Sequence, residues 1–343
     1  MSASSSSACT PIVTEPLHQP DWSFADDGQP TTYVRTQTQV QHLLRMTSDP
    51  WTAVKSIPES LQALVMNILQ QELDAASHTD PYYSTSLRCL RVLSKDRGIL
   101  PSSLICQEAI REGTHPVSGG GFADIWKGRL HENPVCLKVL RVFIAEQARE
   151  KLIRDFCQEA FVWKLLRHPN VLPFLGVNAN LFSPSYCLIS PWMANGNIIS
   201  YLEAHPDHDR YTSLVQISQG MQYLHSLDPQ IVHADIRGAN ILVTDDIRCC
   251  LADFGLSLIV ESQMLDSTSR MRKGAMRWLA PEYIDLRLLD KSCLAARDIY
   301  AFGCTIVEIF TGKPPFSNIK NEIAVIYEVA KGNHPPRPSP SLG

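Results

Sequence analysis

Near His115 the apolar pattern of this 343-residue chain changes period, and that switch constrains the fold more than any other feature. Before it, apolar residues recur every three or four positions. Leu61, Leu64, Val65, Ile68, Leu69 and Leu73 line one helical stripe. After it, residues 117–130 and 134–142 are short, β-branched and punctuated by glycine, which predicts a hairpin in an antiparallel sheet. A proline-free helix is expected next, over about 145–167. Beyond residue 200 the helical period returns. Leu214, Ile217, Met221 and Leu224 share a face, and residues 297–311 predict a further helix closed by Gly312 and Pro314. Strands followed by helices predict an α+β fold in two lobes: a small antiparallel sheet with one helix, then a larger, mainly helical part.

The organisation along the chain follows from the same reading. Residues 1–30 are rich in Ser, Thr, Pro and Asp and are expected to form a disordered tail. Residues 31–112 read as a helical region. Ser56-Ile57-Pro58-Glu59 has the spacing of a capping box at the head of one helix. A weaker helix covers 37–46, and another runs over 85–97 and stops at Gly98. This region suits either a bundle that binds a protein partner or a support for the sheet. Residues 113–343 form the two-lobed part, divided near 192/193.

Composition removes several function classes. A net charge of -4 and a pI near 6.3 show no basic excess for nucleic acid. The longest apolar runs are too short to span a bilayer. No apolar leader segment is visible at the N-terminus. The ten cysteines are scattered without a C-x-x-C pair, as in a reduced, cytoplasmic protein. His205 and His208 lie in a polar loop without cysteine partners, a weak basis for a zinc site.

Four segments carry chemistry. Ser118-Gly119-Gly120-Gly121-Phe122-Ala123 sits between two strands, where a chain without Cβ atoms can bring backbone N–H groups close to phosphates. Taken alone, such a segment is more often just a hairpin turn. Lys138 interrupts the apolar strand Val135-Cys136-Leu137-Lys138-Val139. It is either an edge-strand lysine facing water or a buried one paired with a carboxylate. Glu159 offers that carboxylate, because it shares a helix face with Phe156 and Trp163. The densest segment runs from Ile231 to Val243. Apolar flanks enclose a polar loop with Asp235 and Asn240, where an aspartate can take a proton from a hydroxyl and an amide oxygen can hold a hard metal ion. Asp253, before Phe254 and Gly255, is a second candidate metal ligand.

Together these residues resemble the protein kinase family. The order is a Gly-rich loop, Lys138, Glu159, His233 to Asn240 as H-x-D-x-x-x-x-N, Asp253 to Gly255 as D-F-G, and Ala280 to Glu282 as A-P-E. Asp298 to Gly303 and the turn His168-Pro169-Asn170 are similar to further family segments. The run 274–284 is most similar to the tyrosine-kinase-like group, and the wording of 119–127 and 190–196 resembles expanded kinases of mushroom-forming fungi.

The resemblance implies an intracellular signalling enzyme that uses ATP and Mg²⁺ and phosphorylates a protein, at Ser or Thr rather than Tyr. It implies that Ser118, Gly119, Gly120, Gly121, Phe122, Ala123 and Ile125 cover the nucleotide. Lys138 would hold its phosphates and pair with Glu159. Asn240 and Asp253 would hold magnesium, and Asp235 would act on the acceptor hydroxyl. Ser190, Trp192 and Met193 would form the hinge against adenine, with Ser190 a small gatekeeper that leaves a back pocket. His233 and Phe254 would be structural, and Asp298 would brace the catalytic loop.

The sequence also departs from the family. Ser118 and Ala123 replace glycines. Ala234 stands where an arginine usually precedes the catalytic aspartate, which implies activity without phosphorylation of the activation segment. Arg237 and Ala275 weaken the Ser/Thr assignment. The family continues with further helices after Pro338, so an incomplete C-terminus is expected. The altered loop and short end support the alternative, a non-catalytic scaffold acting through protein–protein interaction.

Overall fold

The computed structural model describes residues 30–75, 81–119, 123–140, 156–157, 159–183, 185–228, 230–254, 258–259, 275–285, 287 and 293–338. The expected tail thus lies outside the described residues, apart from Pro30. The chain forms two compact units that divide between Ser102 and Ser103.

In the first unit, helices α1 (Pro30–Met46), α2 (Pro50–Ala53), α3 (Glu59–Ala75) and α4 (Pro81–Arg97) pack together. The stripe read from the sequence is the buried face of α3, where Leu61, Val65, Ile68, Leu69 and Leu73 are buried. Gly98 ends α4 in the left-handed region (φ +64°), and its N–H donates to the Ser94 carbonyl at 2.9 Å. The capping box is a correction. Ser56 closes a short 3₁₀ turn instead, its hydroxyl donating to the Ala53 carbonyl at 2.7 Å, and α3 starts at Glu59 behind Pro58. Proline has no N–H and tolerates the first helical turn, so the chain enters α3 there.

The second unit opens with an antiparallel sheet of six strands: β1 (Ile110–Arg111), β2 (Ser118–Gly119), β3 (Ala123–Leu130), β4 (Asn133–Leu140), β5 (Gly176–Phe182) and β6 (Ser185–Pro191). Its order is β1-β3-β4-β6-β5, with β2 paired to β3. Antiparallel pairing puts directly opposite residues on one face. On one face Val135, Leu137, Val139, Cys187 and Ile189 form a core cluster with Ala109. The other face carries Ala123, Ile125, Cys136, Lys138, Leu188 and Ser190, through the pairs Ile125–Lys138, Lys138–Leu188 and Cys136–Ser190. Lys138 therefore stands on a central strand between β3 and β6, not on an edge. Helix α5 is helical at residues 156–157 and 159–165.

The rest is mainly helical: α6 (Ile198–Ala204), α7 (Arg210–Ser226), α8 (Pro281–Ile284), α9 (Ala296–Thr311) and α10 (Glu322–Ala330). Asn197, Asp209 and Asn321 cap α6, α7 and α10 with side-chain oxygens. Two short two-stranded sheets lie among the helices. β7 (Ile231–Val232) pairs with β10 (Leu258–Ile259), and β8 (Ile241–Val243) pairs with β9 (Cys249–Leu251). These place the polar loop 233–240 directly after β7 and Asp253 just after β9. The fold is the α+β, two-lobed arrangement expected from the sequence. No helix among the described residues is long and apolar enough to cross a membrane.

Candidate active site

Lys138 joins three elements. Its Nζ donates to Glu159 Oε1 on α5 at 2.9 Å and to Asp253 Oδ1 at 2.8 Å. The Lys138 and Glu159 side chains are only 15% and 10% exposed, so neither charge is simply solvated. Burial alone would lower the Lys138 pKa, but the Asp253 and Glu159 carboxylates outweigh it and hold the ammonium above the ordinary lysine value. Asp253 adopts φ +66°, uncommon for a residue with a Cβ. Backbone strain of this kind collects where a side chain must be aimed.

A second cluster lies in the loop after β7. Asp235 and Asn240 are both buried. The Asn240 amide donates to the Asp235 carbonyl and to Asp235 Oδ2, each at 2.9 Å. The Arg237 Nε lies 3.3 Å from the other carboxylate oxygen. Because the Asn240 N–H₂ group is turned to Asp235, its amide oxygen faces away as an acceptor. The Ala252 N–H donates to the Asn240 carbonyl at 2.9 Å, which ties this loop to the segment carrying Asp253. Gly238 is needed where it is. A Cβ there would lie 2.4 Å from Ile199 Cγ1, and its N–H donates to Glu308 Oε2 at 2.8 Å.

Buried bonds fix the base of the loop. Asp298 on α9 accepts the His233 and Ala234 N–H groups, each at 2.8 Å, and stands 2.9 Å from His225 Nε2. Burial would raise its pKa, but the hydrogen bonds from His225 and from the Ala234 N–H bring it below the usual aspartate value. His233 is fully buried. Its Nδ1 accepts the Asp235 N–H at 3.3 Å, and Nε2 bonds the Ala252 carbonyl at 3.1 Å. Both ring nitrogens are thus used inside the fold. The ring also packs on Phe254, which in turn meets Trp163 of α5.

The structure brings Lys138, Glu159 and Asp253 together, and Asp235 with Asn240. Ser118 and Gly119 form β2 opposite Ile125 and Asp124. Gly120, Gly121 and Phe122 lie outside the described residues, as does Gly255. Ser190 is buried at the end of β6. The Trp192 N–H is taken by the Pro134 carbonyl at 3.1 Å. The Met193 N–H has no hydrogen-bond partner among the described residues. His205 bonds the Tyr201 carbonyl and His208 the Ser213 hydroxyl. No group of three or more His, Cys, Asp or Glu among the described residues is arranged to hold a metal.

Sequence reasoning passed over two residues. Cys136 stands two positions before Lys138 on the same strand face, with its thiol bonded to Ser190 and pushed by burial to about 11. The two-residue strand period was the available signal. Arg297 precedes Asp298 and reaches the Ala234 carbonyl. Nothing in its local sequence points there.

Comparison with known proteins places these clusters in a family. The profile described as protein tyrosine and serine/threonine kinase matches residues 112–341. Serine/threonine/tyrosine-protein kinase HT1 of Arabidopsis thaliana is 31% identical over 228 residues, 65% of this chain and 56% of the relative. Serine/threonine-protein kinase STY46 of the same plant is 30% identical over 65% of this chain and 37% of the relative. Its mitogen-activated protein kinase kinase kinase 2 is 33% identical, over 65% and 34%. The chain spans between a third and just over half of the length of these relatives. The matched segment contains both ionic clusters, and the chain belongs to the protein tyrosine and serine/threonine kinase family.

Proposed function

We propose that this chain transfers the γ-phosphoryl group of ATP, with magnesium, to a serine or threonine hydroxyl of a protein. The observation that carries the reading is the convergence of Lys138, Glu159 and Asp253 beside the Asp235–Asn240 pair. The donor set fits the nucleotide and its metal. Magnesium sites use one or two protein oxygens and complete their shell with phosphates and water. Asp253 supplies a carboxylate, and Asn240 presents an amide oxygen because its N–H groups are spent on Asp235. Bound there, the ion would neutralise charge on the phosphate oxygens.

Each residue then has a task. Lys138, kept cationic by its two carboxylates, meets phosphate oxygens. Glu159 holds Lys138 on the cleft side of the sheet. The loop of Ser118 to Ala123, with Ile125, covers the phosphates. The backbone of Ser190 to Met193 meets the adenine edge through the open Met193 N–H. Asp235, aimed by Asn240 and by the His233 Nδ1 at its own N–H, orients the acceptor hydroxyl and receives its proton as the new P–O bond forms and the bond to the β-phosphate bridging oxygen breaks. Ser/Thr acceptance is favoured by the relatives, which are serine/threonine-protein kinases, one of them named for tyrosine as well. A cytoplasmic setting and a protein partner for the helices of residues 31–112 belong to the same reading.

Labelled ATP supplied with Mg²⁺ and myelin basic protein tests it. Phosphate on the substrate that disappears with Asp253→Ala supports the enzyme, and phosphoamino-acid analysis separates Ser/Thr from Tyr. Tight Mg·ATP binding without transfer would replace the reading with a scaffold.

A further inference from the structure

Ala234 precedes Asp235 and is held in the left-handed region, φ +69°, although it carries a Cβ. That conformation is unfavourable for any residue but glycine and persists only when neighbours impose it. Here two consecutive residues of α9 impose it from both sides of one residue. Asp298 Oδ1 takes the Ala234 N–H at 2.8 Å, and an Arg297 guanidinium nitrogen donates to the Ala234 carbonyl at 3.0 Å.

The same guanidinium lies over the Tyr283 ring, 4.0 Å from its centroid. Tyr283 is buried on α8, directly after the A-P-E segment, among Leu279 and Ala280. Among the described residues no carboxylate pairs with Arg297. Among the described residues its charge is met by the Ala234 carbonyl and by Tyr283. Such a contact is sizeable when partly desolvated. The planar group suits both tasks at once, which an ammonium does not.

In kinases carrying an arginine before the catalytic aspartate, ordering of the activation segment comes from pairing arginine with an added phosphate. Position 234 has no side chain for that. We infer that Arg297 is a positioning residue that replaces this device: it clamps the backbone beside Asp235 to the Tyr283 segment without a phosphate. The inference rests on the kinase reading and adds a residue and a mode of control to it. Arg297 touches no reacting atom, so its effect falls on turnover through the placement of Asp235. The nucleotide contacts of Lys138 and the hinge are separate from it.

The test uses the full chain treated with a protein phosphatase, myelin basic protein as acceptor, and steady-state kinetics against both substrates. Wild type should keep its rate after treatment. Arg297→Ala should lose about 10–100-fold in kcat, with the ATP KM within about twofold of wild type. Arg297→Lys should fall between the two. If Arg297→Ala does not fold, Tyr283→Leu removes the ring face, keeps apolar bulk and should show the same kcat loss. Unchanged kcat in a folded Arg297→Ala or Tyr283→Leu variant overturns the inference. So does loss of wild-type activity on phosphatase treatment, or a parallel rise in ATP KM. A wild type that binds Mg·ATP yet transfers no phosphate overturns the kinase reading as well, a result distinguishable from an active enzyme indifferent to residue 297.

Discussion

The two charged clusters are built in opposite ways. The Lys138 cluster is held by side chains alone, drawn from a strand, a helix and a loop; Lys138 and Asp253 are 115 positions apart. The Asp235 cluster is held by backbone. The N–H groups of His233, Ala234 and Asp235 and the carbonyls of Ala234 and Asp235 are all bonded. Side-chain ion pairs can exchange partners, and under the proposed function an arriving phosphate would take Lys138 from Asp253. Buried backbone bonds offer no such alternative, because breaking them leaves unpaired polar groups. The contrast suggests a division of labour. Under the proposed function, the first cluster would adapt to the nucleotide, and the second would stay fixed so that the acceptor oxygen meets one geometry.

The contrast can be broken at either end. The largest effect is expected from Lys138→Met, which leaves the Glu159 and Asp253 carboxylates without their cation and should abolish measurable transfer; retained turnover would remove the pairing from the account. Next is Asp235→Ala, with turnover down roughly 10²–10⁴-fold. Equal rates for variant and wild type would give Asp235 another role.

Asp298→Ala should act through stability. It strands two buried N–H groups and costs about 3–5 kcal/mol, read by chemical denaturation. The pH dependence follows from the same residue. Its folded pKa lies below the unfolded one, near 3.9, so its contribution is complete above that value and fades as pH falls through the folded pKa. A wild-type acid limb that matches the variant's would contradict this. The smallest effect is expected from Ala234→Gly. Relief of the left-handed strain should outweigh the added unfolded-state entropy by about 0.5–1 kcal/mol, seen as a small rise in melting temperature. A marked loss would mean that the Ala234 methyl makes a contact the fold depends on.

These clusters were legible to different degrees. The apolar stripe of α3 and the Gly312 cap of α9 follow local rules of period and left-handed termination, and both were readable. Lys138 was ambiguous because edge and central strands share a local pattern; only the order β3-β4-β6 decides. Ser56 misled because S-x-x-E describes a cap only when the chain enters the helix at Ser, and a 3₁₀ turn had already claimed its hydroxyl. Asp298 was recognised by resemblance. Arg297 was not, since its partners, Ala234 and Tyr283, are 63 and 14 positions away and have no charge to suggest them.

The division of labour is tested most directly by titrating Mg·ATP into Lys138→Met and Asp235→Ala in parallel, by calorimetry. The account predicts that Lys138→Met loses most of its affinity while Asp235→Ala binds within about twofold of wild type. Equal losses in the two variants, or a greater loss in Asp235→Ala, would contradict it.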